Sequence, residues 1–435
     1  MNLETDNKIQ KKGITLVIPN PCGNIKETKM KNSGVEWIGE IPEDWEVKKV
    51  KHSFVRKNEK AMQENPIVLS LARSGVRERD ISNNEGQLAE SYYNYNPVDV
   101  DDLLINPMDL YSGANCSISK VKGVISPAYI NLRAKKNVSP VFYDYYFKVQ
   151  YWMMAFFAHG NGVSFENRWT LNNETLQNYP IVAPSFETQQ RIATYLDKKC
   201  SKIEETIQNQ QQVIEKLKAY KQSLITEAVT GKVKIENGKV CGEYESYKDS
   251  GVEWIGKIPS GWEIKKAKYF IKISNGSDPK TEEGDTPVYG SGAESFKTCV
   301  EFKEGPTVLI GRKGATLHIP HYIEGNYWNV DTAFDVKTYS EEILLLKFYY
   351  YCATAFDYRF YLTSTTLPSM TQTNYGNMYL PVPNTLVQKE IVEFLDNKYN
   401  AIDTAIEQKQ KLIEKLTEYK KSLIYECVTG KKEVN

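Results

Sequence analysis

The residue types able to do chemistry are few in this chain, and their spacing is poor. Methylation of an amino group needs a loop such as Asn/Asp-Pro-Pro-Tyr, in which a polar side chain and carbonyls hold the amine. The nearest string, Ser126-Pro127-Ala128-Tyr129, lacks the second proline and follows no glycine-rich cofactor strand, so it reads as a turn entering a strand. Gly160-Asn-Gly162 and Gly290-Ser-Gly292 lack the third glycine of a dinucleotide loop, and no Gly-x4-Gly-Lys-Ser/Thr occurs. Gly231-Lys232 and Gly430-Lys431 read as helix ends. Asp331 and Asp335-Val-Lys337 have the composition of a nuclease site, but lie too close together to set two carboxylates and a lysine round one metal. His159, His318 and His321 have no partner at triad or metal spacing. The seven cysteines form no Cys-x-x-Cys pair, which argues against zinc and against a disulfide framework and for a reducing cytoplasm. No catalytic, metal-binding or cofactor residue is expected; the chain reads as a binding subunit.

The elements that would position binding residues repeat. Lys31-Asn-Ser-Gly34-Val-Glu-Trp37-Ile-Gly with Pro42 and Trp45 returns as Lys248-Asp-Ser-Gly251-Val-Glu-Trp254-Ile-Gly with Pro259 and Trp262. A second block runs from Gln189 to Lys232 and again from Gln388 to Lys431. The segments between these blocks look unrelated, as if one scaffold carried two recognition surfaces. The 435 residues are too many for one ordinary core, and the repeat divides them into two. The composition, 41% hydrophobic and 25% charged, is that of a globular protein. No apolar run spans a bilayer, and Met1 to Lys12 has no apolar signal core. With 55 basic and 55 acidic residues, the chain has no overall excess of charge with which to grip phosphates. Either its basic groups gather on one face or a partner supplies much of the grip.

The pattern predicts an α+β class. Trp37 and Trp45 are expected to be core anchors. Ile67–Leu71, Val100–Ile105 and Tyr129–Leu132 are predicted strands, as are 308–311 and 333–337; helices are predicted near 142–157 and 341–356. From Phe186 to Thr230 there is neither proline nor glycine. Phe186 to Lys199 fits a shorter amphipathic helix, with Ile192, Tyr195 and Leu196 on one side. A heptad seam then begins: Ile203, Ile207, Gln210, Ile214, Leu217, Lys221 and Leu224, repeated as Ile402, Ile406, Lys409, Ile413, Leu416, Lys420 and Leu423. Polar seam positions fix register at a cost in stability. About 28 residues of such helix reach about 42 Å. If the copies are related by a two-fold axis, the helices run antiparallel, with a globular domain at each end about one turn of B-DNA apart, ~34 Å. Residues 232–247 read as a linker.

These repeated words resemble the specificity subunits of type I restriction-modification enzymes. The likeness rests on Gly34-Val-Glu-Trp37-Ile-Gly with Pro42 and Trp45, on its copy at 251–262, and on Gln189/Gln190 to Leu196-Asp197 and Gln388 to Leu395-Asp396, each block ending in Val-Thr-Gly-Lys. The resemblance implies two target recognition domains, 29–184 and 248–383, each reading one half of a split double-stranded DNA sequence. It implies conserved helical spacers, 185–231 and 384–435, that set the unread gap in a circular, pseudo-two-fold arrangement. It further implies two methyltransferase subunits that bring S-adenosylmethionine and two restriction subunits that translocate and cut. The tail 1–28 lies outside the pattern.

Base readout needs polar or guanidinium groups on loops. The candidates are Arg73, Arg77, Arg79, Asn161, Ser164 and Arg168 in the first domain, and Ser291, Arg312, Lys313, Gln372, Thr373 and Asn374 in the second. Two other classes stay open. One is a two-headed coiled-coil adaptor binding proteins or glycans through tyrosine-rich surfaces, since the chain has 29 tyrosines. The other is a self-contained nuclease or methyltransferase, which would need a site not found above.

Overall fold

The computed structural model describes residues 29–72, 74–81, 89–108, 110, 115–162, 169–361 and 368–434. The chain divides into two units, Met1–Glu204 with Thr417–Asn435, and Glu205–Leu416.

In the first unit the strands relevant to the site are β1 (Glu46–Lys49), β2 (Phe54–Lys57), β3 (Leu69–Ala72), β4 (Gly75–Glu78), β5 (Leu103–Ile105), β6 (Cys116–Ile118), β7 (Ile130–Ala134) and β8 (Pro180–Ala183). An antiparallel sheet has the order β2-β7-β5-β6, with Leu132 opposite both Arg56 and Leu103. Helix α1 (Pro140–Trp152) starts at Ser139, whose hydroxyl accepts from Phe142 N, with proline following at the first helical position. It contributes Phe142, Tyr143, Tyr146 and Phe147 to the core formed with Leu103, Ile105 and Leu132. Helix α2 (Asn173–Asn178) leads into β8, which pairs with β1. The predicted strands and helix are present with ends shifted by a few residues. Short apolar runs bounded by turns mark where a strand lies better than where it stops.

The second unit builds the same sheet from a different sequence. Its strands are β9 (Glu263–Lys266), β10 (Ile271–Asn275), β11 (Thr286–Tyr289), β12 (Lys297–Cys299), β13 (Thr307–Gly311), β14 (His321–Ile323), β15 (Trp328–Asn329), β16 (Ala333–Thr338) and, after helices α4 (Leu346–Ala355) and α5 (Gln372–Asn377), β17 (Tyr379–Val382). The sheet order is β10-β16-β13-β14, and β9 pairs with β17 as β1 does with β8. Inserts that look unrelated as strings therefore share a topology, because alternation and burial define the sheet while many apolar residues satisfy it.

Two 44-residue helices follow the domains, α3 (Phe186–Val229) and α6 (Thr385–Val428). Where the sequence suggested a short helix and then a seam, α3 is continuous; with no helix breaker near Lys199, both patterns ride on one helix. Each of the ten apolar seam positions, Ile203, Ile207, Ile214, Leu217, Leu224, Ile402, Ile406, Ile413, Leu416 and Leu423, is buried or half-buried. In the second unit Lys409 donates to Gln210 Oε1 at 3.0 Å and Lys221 pairs with Asp403 at 2.6 Å, so partner numbers fall as α3 advances, the mark of an antiparallel pair. In the first unit Lys420 pairs with Glu204 at 2.5 Å, the repeat copy of Lys221 with Asp403.

The repeated words meet in each unit. Helix α6 ends with Gly430 N–H donating to Cys427 O and Lys431 N–H to Glu426 O, the double bond of a Schellman stop, at a φ of +73° for Gly430. That glycine lies on Pro42 and Trp45: a Cβ there would fall 2.3 Å from Pro42 Cδ. Gly231 meets Pro259 and Trp262 in the same way. Trp45 is thus a buried anchor, and Trp37 packs partly buried against the same core. Residues 232–247 are more ordered than a linker. They form a hairpin, Ile235–Glu236 with Lys239–Val240, around Asn237-Gly238, both at positive φ as a type I′ turn requires. Ile235 is buried in the second unit's core.

Candidate nucleic-acid interface

In the second unit the candidate residues gather at one corner of the sheet, where β13 ends. Gly311 is packed so closely that a Cβ would lie 2.3 Å from Leu317 Cα, which folds the loop 312–317 back on itself. Backbone bonds tie this loop to two others: Arg312 N–H to Thr332 O (2.7 Å), Gly314 N–H to Pro368 O (3.2 Å) and Met370 N–H to Arg312 O (2.9 Å). A fourth segment joins through Thr316 Oγ1, which donates to Ser291 O at 2.9 Å. Arg312 is half-buried, its guanidinium carbon 5.9 Å from the Phe334 ring centre and its Nη1 3.4 Å from Asp331 O. Lys313 and Thr373 are exposed. Gln372 donates to Asn275 Oδ1 at 3.1 Å. Asn374 is turned inward: its N–H bonds the capping Thr371 hydroxyl and its side-chain amide donates to Tyr361 O. Ser291, Arg312, Lys313 and Gln372 therefore share one surface, while the side chain of Asn374 holds the start of α5.

The first unit shows the corresponding corner. Leu171 N–H donates to Pro107 O, as Met370 does to Arg312, and Leu110 N–H donates to Trp169 O. Asn161 is exposed and pairs its backbone with Thr170. Arg77 is exposed on the β3–β4 hairpin, and Arg79 N–H donates to Val68 O just beyond it. The Asn115 side-chain amide donates to Ala72 O, which fastens that hairpin to the loop after β5. Arg73, Ser164 and Arg168 lie outside the described residues. Asn275, Thr316 and Asn115 were not singled out from the sequence; lone polar residues at strand ends carry no spacing signal.

The groups with catalytic composition have structural roles. Asp335 is buried and pairs with Lys303 at 2.6 Å, while Lys337 donates to Glu304 O. His159 packs between Trp37 (4.7 Å) and Tyr179 (5.3 Å), and burial holds its pKa, like that of His321, below the ordinary value. Tyr129 N–H closes a turn onto Ser126 O. Among the described residues no cluster of three His, Cys, Asp or Glu could hold a metal, and no helix is long and apolar enough to cross a membrane.

Residues 259–415, from the groove-forming Pro259 through this corner into α6, match the family model of the type I restriction modification DNA specificity domain. The second domain is a type I restriction-modification DNA specificity domain. The family suggested by the repeated words is thus the one to which this specificity domain belongs. Among solved structures, the chain is similar to one reported for complex assembly and conformational transition of the type I R-M system. The TM-score is 0.67 at 14% identity, covering 89% of this chain and 98% of that one. The HsdS subunit from Thermoanaerobacter tengcongensis gives 0.49 at 14% identity, with coverage of 90% and 98%. The type I S subunit from M. genitalium gives 0.40 at 15% identity, with coverage of 88% and 96%. At this identity the first likeness shows the fold alone.

Proposed function

We propose that the chain is the non-catalytic DNA-recognition subunit of a type I restriction-modification enzyme, acting in the cytoplasm. Each domain, 29–184 and 248–383, reads one half of a two-part target through its loop corner. Helices α3 and α6 set the gap between halves and dock two methyltransferase subunits, which carry the S-adenosylmethionine. Two restriction subunits join the same assembly when DNA is cut. The observation that carries this reading is the family match of the second domain together with loops of the first domain that close on each other at the same sheet corner. The adaptor reading relied on tyrosine-rich surfaces, whereas Tyr143, Tyr146, Tyr179, Tyr327, Tyr349, Tyr351 and Tyr375 are among the largest fully buried side chains.

With no net charge, the chain alone should bind DNA weakly, and phosphate contacts from methyltransferase subunits should make binding tight and salt-sensitive. Affinities measured with and without those subunits at two salt concentrations test this. Equally tight binding by the isolated chain would refute the shared grip; no sequence preference in the complex would refute the reading altogether.

A further inference from the structure

We infer that Gln372 and Asn275 act as a paired-amide reader of one A·T base pair in the half-target taken by the second domain. The inference rests on the DNA-reading function proposed above and assigns it a base and two side chains. Asn275 is the exposed last residue of β10, in register with Phe334. It cannot drift, because a Cβ on the next residue, Gly276, would fall 2.1 Å from Val330 O, and Lys303 Nζ bonds both Asn329 Oδ1 (2.7 Å) and Asp335 Oδ1 (2.6 Å) within 3.4 Å of the Asn275 carbonyl. Gln372 is the first residue of α5, whose start is fixed by the Thr371 cap. The two amides meet at 3.1 Å.

One hydrogen bond between two carboxamides leaves an open carbonyl on one and an open amino group on the other, and this holds whichever amide donates. Side by side, they form a donor–acceptor pair. Adenine presents the complement on its major-groove edge, the N6 amino donor beside the N7 acceptor, whereas guanine presents two acceptors there. The Arg312 guanidinium lies over Phe334, the strand partner of Asn275, and exposed Lys313 follows it, so positive charge for phosphate positioning adjoins the amides. A purely structural pair, fastening α5 to β10, would make no difference to base choice.

The test selects duplexes from a randomised library with the full-length chain co-expressed with its methyltransferase subunits. The wild type is expected to select a two-part sequence with an invariant A·T pair in one half. Gln372→Ala should lose discrimination at that pair by about ten- to a hundred-fold and leave the other half unchanged. Gln372→Glu, with acceptors only, should shift the preference toward cytosine, whose N4 amino group donates. If Gln372→Glu does not fold, judged by its thermal transition, Asn275→Ala tests the pair through the loss of discrimination expected of Gln372→Ala. Folded variants whose selected sequence matches the wild type at every position overturn the inference and leave the proposed function intact. A wild type that selects no two-part sequence removes both.

Discussion

Gly430 is held twice, by a backbone at a φ of +73° and by Pro42, only 2.3 Å from where a Cβ would stand. Gly251 has a similar φ of +70° with nothing within 4 Å. The pair separates conformational strain from crowding. Gly251→Ala should cost about 1–2 kcal/mol, whereas Gly430→Ala adds overpacking of about 1–3 kcal/mol. Thermal denaturation should therefore show a clearly larger drop for Gly430→Ala; equal drops would mean that the proline groove yields. A second residue-scale expectation concerns acid. Burial lowers the pKa of His321 in the folded protein below its ordinary value. The unfolded chain then binds the proton more readily, so this residue's contribution is full above the unfolded value, about 6.5, and is lost as pH falls from there through the folded value. His321→Gln should flatten the fall in urea midpoint between pH 7.5 and 5.5 relative to the wild type, and an unchanged slope would clear His321 of that role. The sequence marked Trp45 as an anchor but not Gly430 as its partner. A glycine after a helix reads as a stop, and nothing in its neighbours tells what lies against it.

At the scale of elements, the long helices are fastened to their domains by one buried glutamine each. Gln189 accepts from Ser139 N–H and donates to Pro184 O, both at 2.8 Å, joining the start of α3 to the start of α1. Gln388 does the same for α6, accepting from Leu345 N–H and donating to Ile343 O and Pro383 O. Gln189→Ala would strand a buried donor and acceptor at about 1–3 kcal/mol each. The expected result is a lowered unfolding midpoint and faster amide exchange in the first turns of α1 and α3; unchanged protection there would show that water replaces the amide. The sequence showed these glutamines only as repeated letters at a helix start, because the N–H donors they satisfy lie far along the chain, Ser139 at 50 residues from Gln189 and Leu345 at 43 from Gln388. Local patterns were more legible. The seam was readable because a heptad is a local signal, and the antiparallel sense followed from duplication. The Asn237-Gly238 hairpin was equally local, with Ile235 and Val240 flanking it, but its charges drew it into a linker reading.

For the whole molecule, the proposed function makes the length of α3 and α6 a measuring device. The seam repeats every seven residues, so an insertion that keeps each apolar position in place must be a heptad made in both antiparallel helices at once. One heptad adds about 10 Å of helix, close to the length of three base pairs at 3.4 Å each. Inserting it after Glu204 in α3 and before Thr417 in α6 places the new turns where the chain divides between its units, between the Glu204–Lys420 and Gln210–Lys409 pairs, so that neither pair is split. On the proposed function the two half-targets are read by loop corners outside both helices, so they should stay the same while the unread gap lengthens by about three base pairs. Mapping methylated positions in DNA from cells that carry the lengthened chain measures this directly. An unchanged gap would show that the helices do not set it, and altered half-targets would show that domain and helix cannot be separated as the repeat implies.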